Sequence, residues 1–253
     1  MHFYVIKARW FLALGMVLMC MLLCISIDKI IPVFSVSGRE IPIYSVERDD
    51  KKIALTFDCA WNNDDIGGIL DVLDRYEVKA TFFILGDWAN KYPDSVVEIY
   101  NRGHQIGTHS MSHTDYTILT REEILKDISE NENIIWDLTD NRPILFRAPS
   151  GAYNDTVVKT CEETGRIYVQ WSVDSLDYID EATVDTIYQR VIENTKAGDI
   201  ILMHNGTEHT LSALPKIIET LKNEFEFAKL LDMVYFEDYI IDHTGRQIST
   251  KKD

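Results

Sequence analysis

From residue 51 onward the chain alternates short β-rich apolar runs with stretches of helical periodicity. Runs rich in Val, Ile, Phe and Leu at 53–58, 80–85, 105–109, 145–149, 168–174, 199–204 and 227–233 predict strands. Between them, apolar residues recur at helical spacing over 66–76, 93–102, 121–138, 154–164, 183–195 and 211–225. Thr120 followed by Glu123 predicts a capping box, and Asn154 and Asp180 stand where N-caps belong. Strands separated by helices of this length predict a parallel sheet, and the repeat number predicts a closed or nearly closed β/α barrel over residues 51–235. The chain has neither the Rossmann nor the P-loop glycine pattern.

Ahead of this pattern lies an uncharged apolar run, residues 10–27. At about 1.5 Å per residue it reaches about 27 Å, close to the hydrocarbon thickness of a bilayer. Lys7 and Arg9 precede it. The run predicts a single-pass signal anchor, with residues 1–9 cytoplasmic and everything after it outside. The alternative, a cleaved signal peptide, lacks a closing small-x-small site, and Met21-Leu22-Leu23 are bulky for lipoprotein processing at Cys24. Residues 28–50, with Pro32, Gly38 and Pro42, predict a tether carrying one short strand at 41–44. Residues 236–253 predict a polar C-terminal tail.

Charge narrows the partners. Asp and Glu number 41 against 25 Lys and Arg, a net −16, and nucleic acid wants the opposite balance. Of the four cysteines, Cys20 and Cys24 lie inside the apolar run. Cys59 and Cys161 are expected as free thiols, Cys161 in the core.

The chemistry sits at strand ends. Asp58, His109, Arg147, Asp174 with Asp177, and His204 each follow an apolar run, at the edge where a β/α barrel opens its mouth. One such Asp is usually a turn former or cap; five ends carrying Asp, His or Arg are hard to assign to caps alone. His109 and His113 stand four apart, a spacing that on a helical turn puts both rings on one face to chelate an ion. The plainer alternative for that pair is two hydrogen-bonded histidines at a helix start.

Five segments occur in order: Leu55-Thr56-Phe57-Asp58, His109-Ser110-Met111-Ser112-His113, Phe146-Arg147-Ala148-Pro149-Ser150-Gly151, Asp174-Ser175-Leu176-Asp177-Tyr178 and Leu202-Met203-His204. Together with Lys79-Ala80-Thr81-Phe82-Phe83 and Gly103-His104-Gln105-Ile106-Gly107 they resemble the motifs of the polysaccharide deacetylases (NodB-homology domain, carbohydrate esterase family four) over about residues 51–233. The resemblance implies a distorted seven-stranded β/α barrel and metal-dependent removal of N-acetyl groups from an amino-sugar polymer. It implies a divalent metal, zinc by expectation, on His109 and His113, with Asp58 as general base and Arg147 keeping it ionised. His204 would be the acid that protonates the leaving amine, aimed by Asp177 or Asp174, with Lys79 neutralising that carboxylate. The backbone at Ser150 would face the oxyanion, and Tyr178 and Leu202 would wall the groove.

One position departs from the family, which has a second Asp after the base as third metal ligand; here it is Cys59. Three substitutes stay open: the Cys59 thiolate, Asp64 or Asp65 from the following loop, or water. Trp61 would stack on sugar or cap the barrel. His104 is expected to be structural, and His209 and His243 to be surface residues. Asn154-Asp155-Thr156 and Asn205-Gly206-Thr207 match a glycan acceptor pattern that matters only in a eukaryotic secretory pathway. The expected function is a membrane-anchored, outward-facing N-deacetylase of peptidoglycan or a related cell-surface glycan. Its rivals are a degenerate glycan-binding barrel and a tethered scaffold.

Overall fold

A computed structural model describes residues 40–251 of the chain. The expected cytoplasmic stretch 1–9, the anchor 10–27 and the first part of the tether lie outside the described residues. Among the described residues no helix is long and apolar enough to cross a membrane.

Strand β1 (Ser45–Val46) lies in the expected tether, and β2 (Lys52–Cys59), β3 (Thr81–Ile84), β4 (Gln105–Thr108), β5 (Leu145–Phe146), β6 (Ile167–Tyr168), β7 (Val173–Asp174) and β8 (Ile200–His204) account for six of the expected runs. Seven of them form a parallel ladder in the order β6-β5-β4-β3-β2-β8-β7. The barrel does not close: β6 and β7 stand at opposite ends, giving a half-barrel. The expected continuous strand 168–174 breaks because Val169 to Ser172 cross the opening. Residues of the supposed tether line that crossing. Ile43 donates to Tyr168 O at 3.0 Å and accepts from Gln170 N at 2.7 Å, and Val46 N donates to Gly198 O at 2.9 Å. Residues 40–46 are therefore part of the fold, and the strand expected at 41–44 is reduced to a single bridge at Ile43.

Two other expectations change. The run 227–233 pairs with β2 only through β9 (Glu226–Phe227) and then turns at Leu230–Asp232. Its backbone instead meets strand starts: Leu230 N donates to Thr81 Oγ1 at 3.2 Å and Leu231 N to Gln105 Oε1 at 3.0 Å. The polar tail is not a tail. Strands β10 (Tyr239–Ile241) and β11 (Arg246–Ser249) form a hairpin, and β11 runs parallel to β1. Gln247, fully buried, holds it down by accepting from Tyr235 N at 2.9 Å and donating to Tyr235 O at 2.7 Å.

The helices fall where the periodicity put them. The capping box at Thr120 forms on the helix Arg121–Thr139, and Asn154 caps Asp155–Glu163. Thr183, not Asp180, caps Val184–Asn194. A short helix, Gly86–Lys91, had no signal of its own.

Strand β2 explains the division of labour across the sheet. Successive side chains of a strand point to opposite faces. Ile53, Leu55, Phe57 and Cys59 face the outer core, with Ile69, Leu73 and Ile217 from two covering helices. Thr56 and Asp58 therefore face the other way, into the half-barrel.

Candidate active site

Asp58 lies at the centre of the mouth. Arg147, with no exposed surface, reaches under it: Nη1 donates to Asp58 Oδ1 at 2.7 Å and to Thr56 Oγ1 at 2.9 Å, and Nη2 donates to Gln170 O at 3.0 Å. Its guanidinium carbon lies 4.1 Å from the centroid of the Phe83 ring. Burial alone would push the Asp58 carboxyl up, but Arg147 above all, with His204, holds it below its ordinary value. Burial lowers the Arg147 pKa against the opposing pull of Asp58. The guanidinium keeps its charge, because its ordinary value starts so high.

His109 directly follows strand β4. Gly107 lets that strand lie close, since a Cβ there would come within 2.7 Å of the Phe83 ring. The His109 Nδ1 is 2.9 Å from Arg147 O. A carbonyl only accepts, so Nδ1 carries the proton and Nε2 keeps its lone pair, 3.6 Å from Asp58 Oδ2. Burial pushes the His109 pKa down to about 4, so the ring is neutral.

The spacing of His109 and His113 does not act through a helix. The segment between them is a loop with Ser110 at φ 70° and His113 at φ 58°. Asn131 Nδ2 donates to Ser110 O at 2.7 Å and to Ile84 O at 2.8 Å, and Asp127 Oδ1 accepts from Met111 N at 2.9 Å. Pinned this way, the two rings meet edge to face with centroids 5.4 Å apart. Ser150 (φ 55°) and Leu176 (φ 53°) lie in neighbouring mouth segments with the same left-handed backbone. Such conformations persist in non-glycine residues only where the surroundings enforce them.

Across the mouth, His204 ends β8. Its Nδ1 is 2.7 Å from Asp177 Oδ1, and its backbone N–H donates to Asp177 Oδ2 at 2.8 Å. Thr210 Oγ1 also donates to Oδ2. Burial opposes a charge on His204, and the Asp177 carboxylate more than offsets it, so its pKa is raised. Asp174 adds to this by its charge alone; its own hydrogen bonds are accepted from Leu176 N at 2.9 Å and from Tyr178 OH at 3.4 Å. Lys79 is not near Asp177 either; it donates to Asp74 at 3.0 Å and to Arg102 O at 2.8 Å. Trp61 and Tyr178 stand over His204 with ring centroids 5.2 and 5.1 Å away. Gly206 (φ +72°) allows the Trp61 loop to approach, as a Cβ would lie 2.9 Å from that of Trp61.

These groups share one cavity of about 540 Å³. Asp58, His109, His113, Ser150, Trp61, Tyr178, Leu202 and His204 all line it, with Arg147 and Asp177 directly behind. Trp171 and Leu85 line it too and were not foreseen. Trp171 belongs to the crossing between β6 and β7, which no local pattern distinguishes from strand. Asn131 and Asp127, which position the histidine loop, sit in an ordinary amphipathic helix. His104 is structural as expected, its Nδ1 accepting from Ala80 N at 3.2 Å. Cys161 is a buried free thiol.

The expected third metal ligand is not found. Cys59 is fully buried in the outer core, and burial pushes its thiol well above the ordinary value. Asp64 is exposed and does not line the cavity. Asp65 Oδ2 accepts from Gly206 N at 2.8 Å. Among the described residues no group of three or more His, Cys, Asp and Glu is placed to hold an ion. The donor chemistry of His109, a neutral imidazole with its second nitrogen anchored, does fit a metal ligand. Among the described residues, His109 and His113 are thus the pair that could hold a divalent ion, with no third His, Cys, Asp or Glu placed to join them.

The family model for polysaccharide deacetylase matches residues 45–169. A peptidoglycan-N-acetylglucosamine deacetylase of Bacillus cereus is 32% identical over 200 residues, covering 77% of this chain and 93% of that one. This chain belongs to the polysaccharide deacetylase family. The family match ends before Asp177 and His204, so the geometry above adds the second half of the site. A Listeria monocytogenes peptidoglycan-N-acetylglucosamine deacetylase, PgdA, is 33% identical over 218 residues; the match covers 86% of this chain but 45% of PgdA. Among solved structures, a carbohydrate esterase family 4 pseudoenzyme from Bacillus anthracis superposes with a TM-score of 0.73 at 30% identity, over 77% of this chain and 69% of that one.

Proposed function

We propose that this polysaccharide deacetylase hydrolyses the N-acetyl groups of an amino-sugar polymer, with the glycan strands of peptidoglycan as substrate. The observation that carries this is the pairing of two oppositely tuned groups in one cavity: Asp58, hydrogen-bonded to Arg147 and held below its ordinary pKa, and His204, hydrogen-bonded to Asp177 and held above its own. A base and an acid pushed apart in this way suit amide hydrolysis, which removes a proton from water and delivers one to the departing nitrogen.

Asp58 takes the proton of the attacking water, and the buried guanidinium fixes the carboxylate's orientation. The backbone N–H of Ser150 meets the negative oxygen of the tetrahedral stage. His204 then gives its proton to the amine nitrogen, and Asp177 steadies the imidazolium until that moment. Leu202 packs on the acetyl methyl, while Trp61 and Tyr178 hold the sugar. A divalent ion seated on His109 and His113, zinc by preference, supplies polarisation of the acetyl carbonyl and a lowered water pKa when bound. Lys7 and Arg9 ahead of the uncharged run 10–27 support an anchored, outward-facing enzyme.

The direct test is acetate release from purified peptidoglycan and from chito-oligomers by the zinc-loaded protein, with Asp58→Asn as control. Release by the wild type and none by Asp58→Asn is expected; no release by either, on any of these substrates, removes the proposal. A second reading, glycan binding without turnover, is favoured by one observation, the burial of Cys59 away from the mouth. Under it, glycan binds and Asp58→Asn changes nothing measurable.

A further inference from the structure

Beside the mouth lies a second cavity of about 580 Å³, and Trp61 and Tyr178 belong to the walls of both. The two rings are thus a shared partition rather than an outer rim. The two cavities meet at these rings, so a polymer lying over Asp58 would have the second cavity alongside it.

The walls of the second cavity differ from those of the first. Tyr92 and Ile179 supply apolar surface, and Lys91, Asp180 and Glu208 supply charge beside His209. Asp177 also reaches the wall, but its two oxygens are engaged by His204 and Thr210. Lys91 makes no ion pair among the described residues; its ammonium lies 4.9 Å from the Tyr92 ring centroid. Glu208 faces only the adjacent His209, at 3.9 Å, and Asp180 is exposed. A cation and carboxylates therefore face one concavity without neutralising one another, on surfaces that hold the partition rings.

A neutral chain of N-acetylated sugars could hydrogen-bond these groups but would leave their charges unmatched. A sugar carrying a short peptide through a carboxylic ether matches them, because it presents carboxylates for a lysine and an ammonium for acidic side chains.

We propose that this second cavity seats the charged peptide substituent of the sugar next to the one being deacetylated, with Lys91 holding a carboxylate and Asp180 and Glu208 facing an ammonium. This rests on the deacetylase proposal for the path of the polymer. It makes the chain a reader of peptide-bearing glycan rather than of bare polymer.

Binding separates the two ideas. The full-length Asp58→Asn protein is titrated calorimetrically with peptide-bearing glycan fragments, with the same fragments stripped of peptide by an amidase, and with chito-oligomers. We expect the peptide-bearing fragments to bind about tenfold more tightly than the stripped ones. Lys91→Ala should erase that difference and leave the affinity for stripped fragments unchanged, and the double variant Asp180→Asn, Glu208→Gln should reduce it. Equal affinity for peptide-bearing and stripped fragments overturns the proposal, as does a Lys91→Ala loss that is the same for all three ligands. If the peptide-dependent difference is present but the wild type releases no acetate, the deacetylase proposal falls and the peptide site stands.

Discussion

Asp177 grips His204 at two points, Oδ1 at the imidazole Nδ1 (2.7 Å) and Oδ2 at the backbone N–H (2.8 Å). One carboxylate thus sets the charge of the ring and the position of the strand end that carries it. Asp174, three residues earlier, supports Tyr178 instead.

That division predicts different outcomes for the two aspartates. A raised His204 pKa means the acid form is present at low pH and is lost as pH rises through that value. Asp177→Asn removes the cause, so the alkaline limb of the kcat profile should move to lower pH, with kcat falling about 100-fold at neutral pH. Asp174→Asn, which removes only a smaller charge contribution, should move the limb the same way by much less, and raise KM. A pH–rate series on acetate release checks both.

Arg147 satisfies Asp58, Thr56 and Gln170 O together while fully buried. Arg147→Ala strands the Asp58 charge and should cost about 3–5 kcal/mol of stability in urea denaturation. Arg147→Lys, a single point donor in place of a planar fork, should recover only part of it.

Cys59 should be indifferent to metal. Cys59→Ala is expected to leave zinc affinity unchanged in calorimetry while costing about 1 kcal/mol of stability from lost packing. His109→Ala and His113→Ala should each lower affinity at least tenfold. The cobalt-loaded wild type should show no thiolate charge-transfer band; its presence would place the thiol on the ion.

His104 makes stability depend on pH. Burial, with Lys79 adding, pushes its pKa down to about 4 in the folded chain, against about 6.5 when unfolded. Between those values the unfolded chain binds a proton that the folded chain refuses. The stabilisation is therefore complete above pH 6.5 and falls as pH drops, by about 3 kcal/mol near pH 4. His104→Gln should flatten the Tm profile between pH 7 and pH 4.

Several local features were already legible in the chain. Thr120 and Glu123 marked a helix start because a capping box is a local contact, and it forms as read. The strict alternation of β2 held even the Cys59 answer: neighbours on a strand face opposite ways, so a residue beside an inward Asp58 faces outward. What escaped local pattern was set by distant partners. The histidine loop takes its shape from Asn131 and Asp127 on another element. The polar residues 239–249 become strands because β1 offers an edge and Tyr235 a hydrogen-bonding partner for Gln247.

By itself the sequence determined the alternation of strands and helices, the family, and which residue types arrive at the strand ends, since each follows from periodicity or a contiguous motif. Only the tertiary structure decided that the barrel stays open between β6 and β7, that Asp177 rather than Asp174 hydrogen-bonds His204, and that two histidines meet with no third ligand beside them among the described residues. Those outcomes depend on side-chain direction and on contacts between residues far apart in the chain, and no local pattern encodes them.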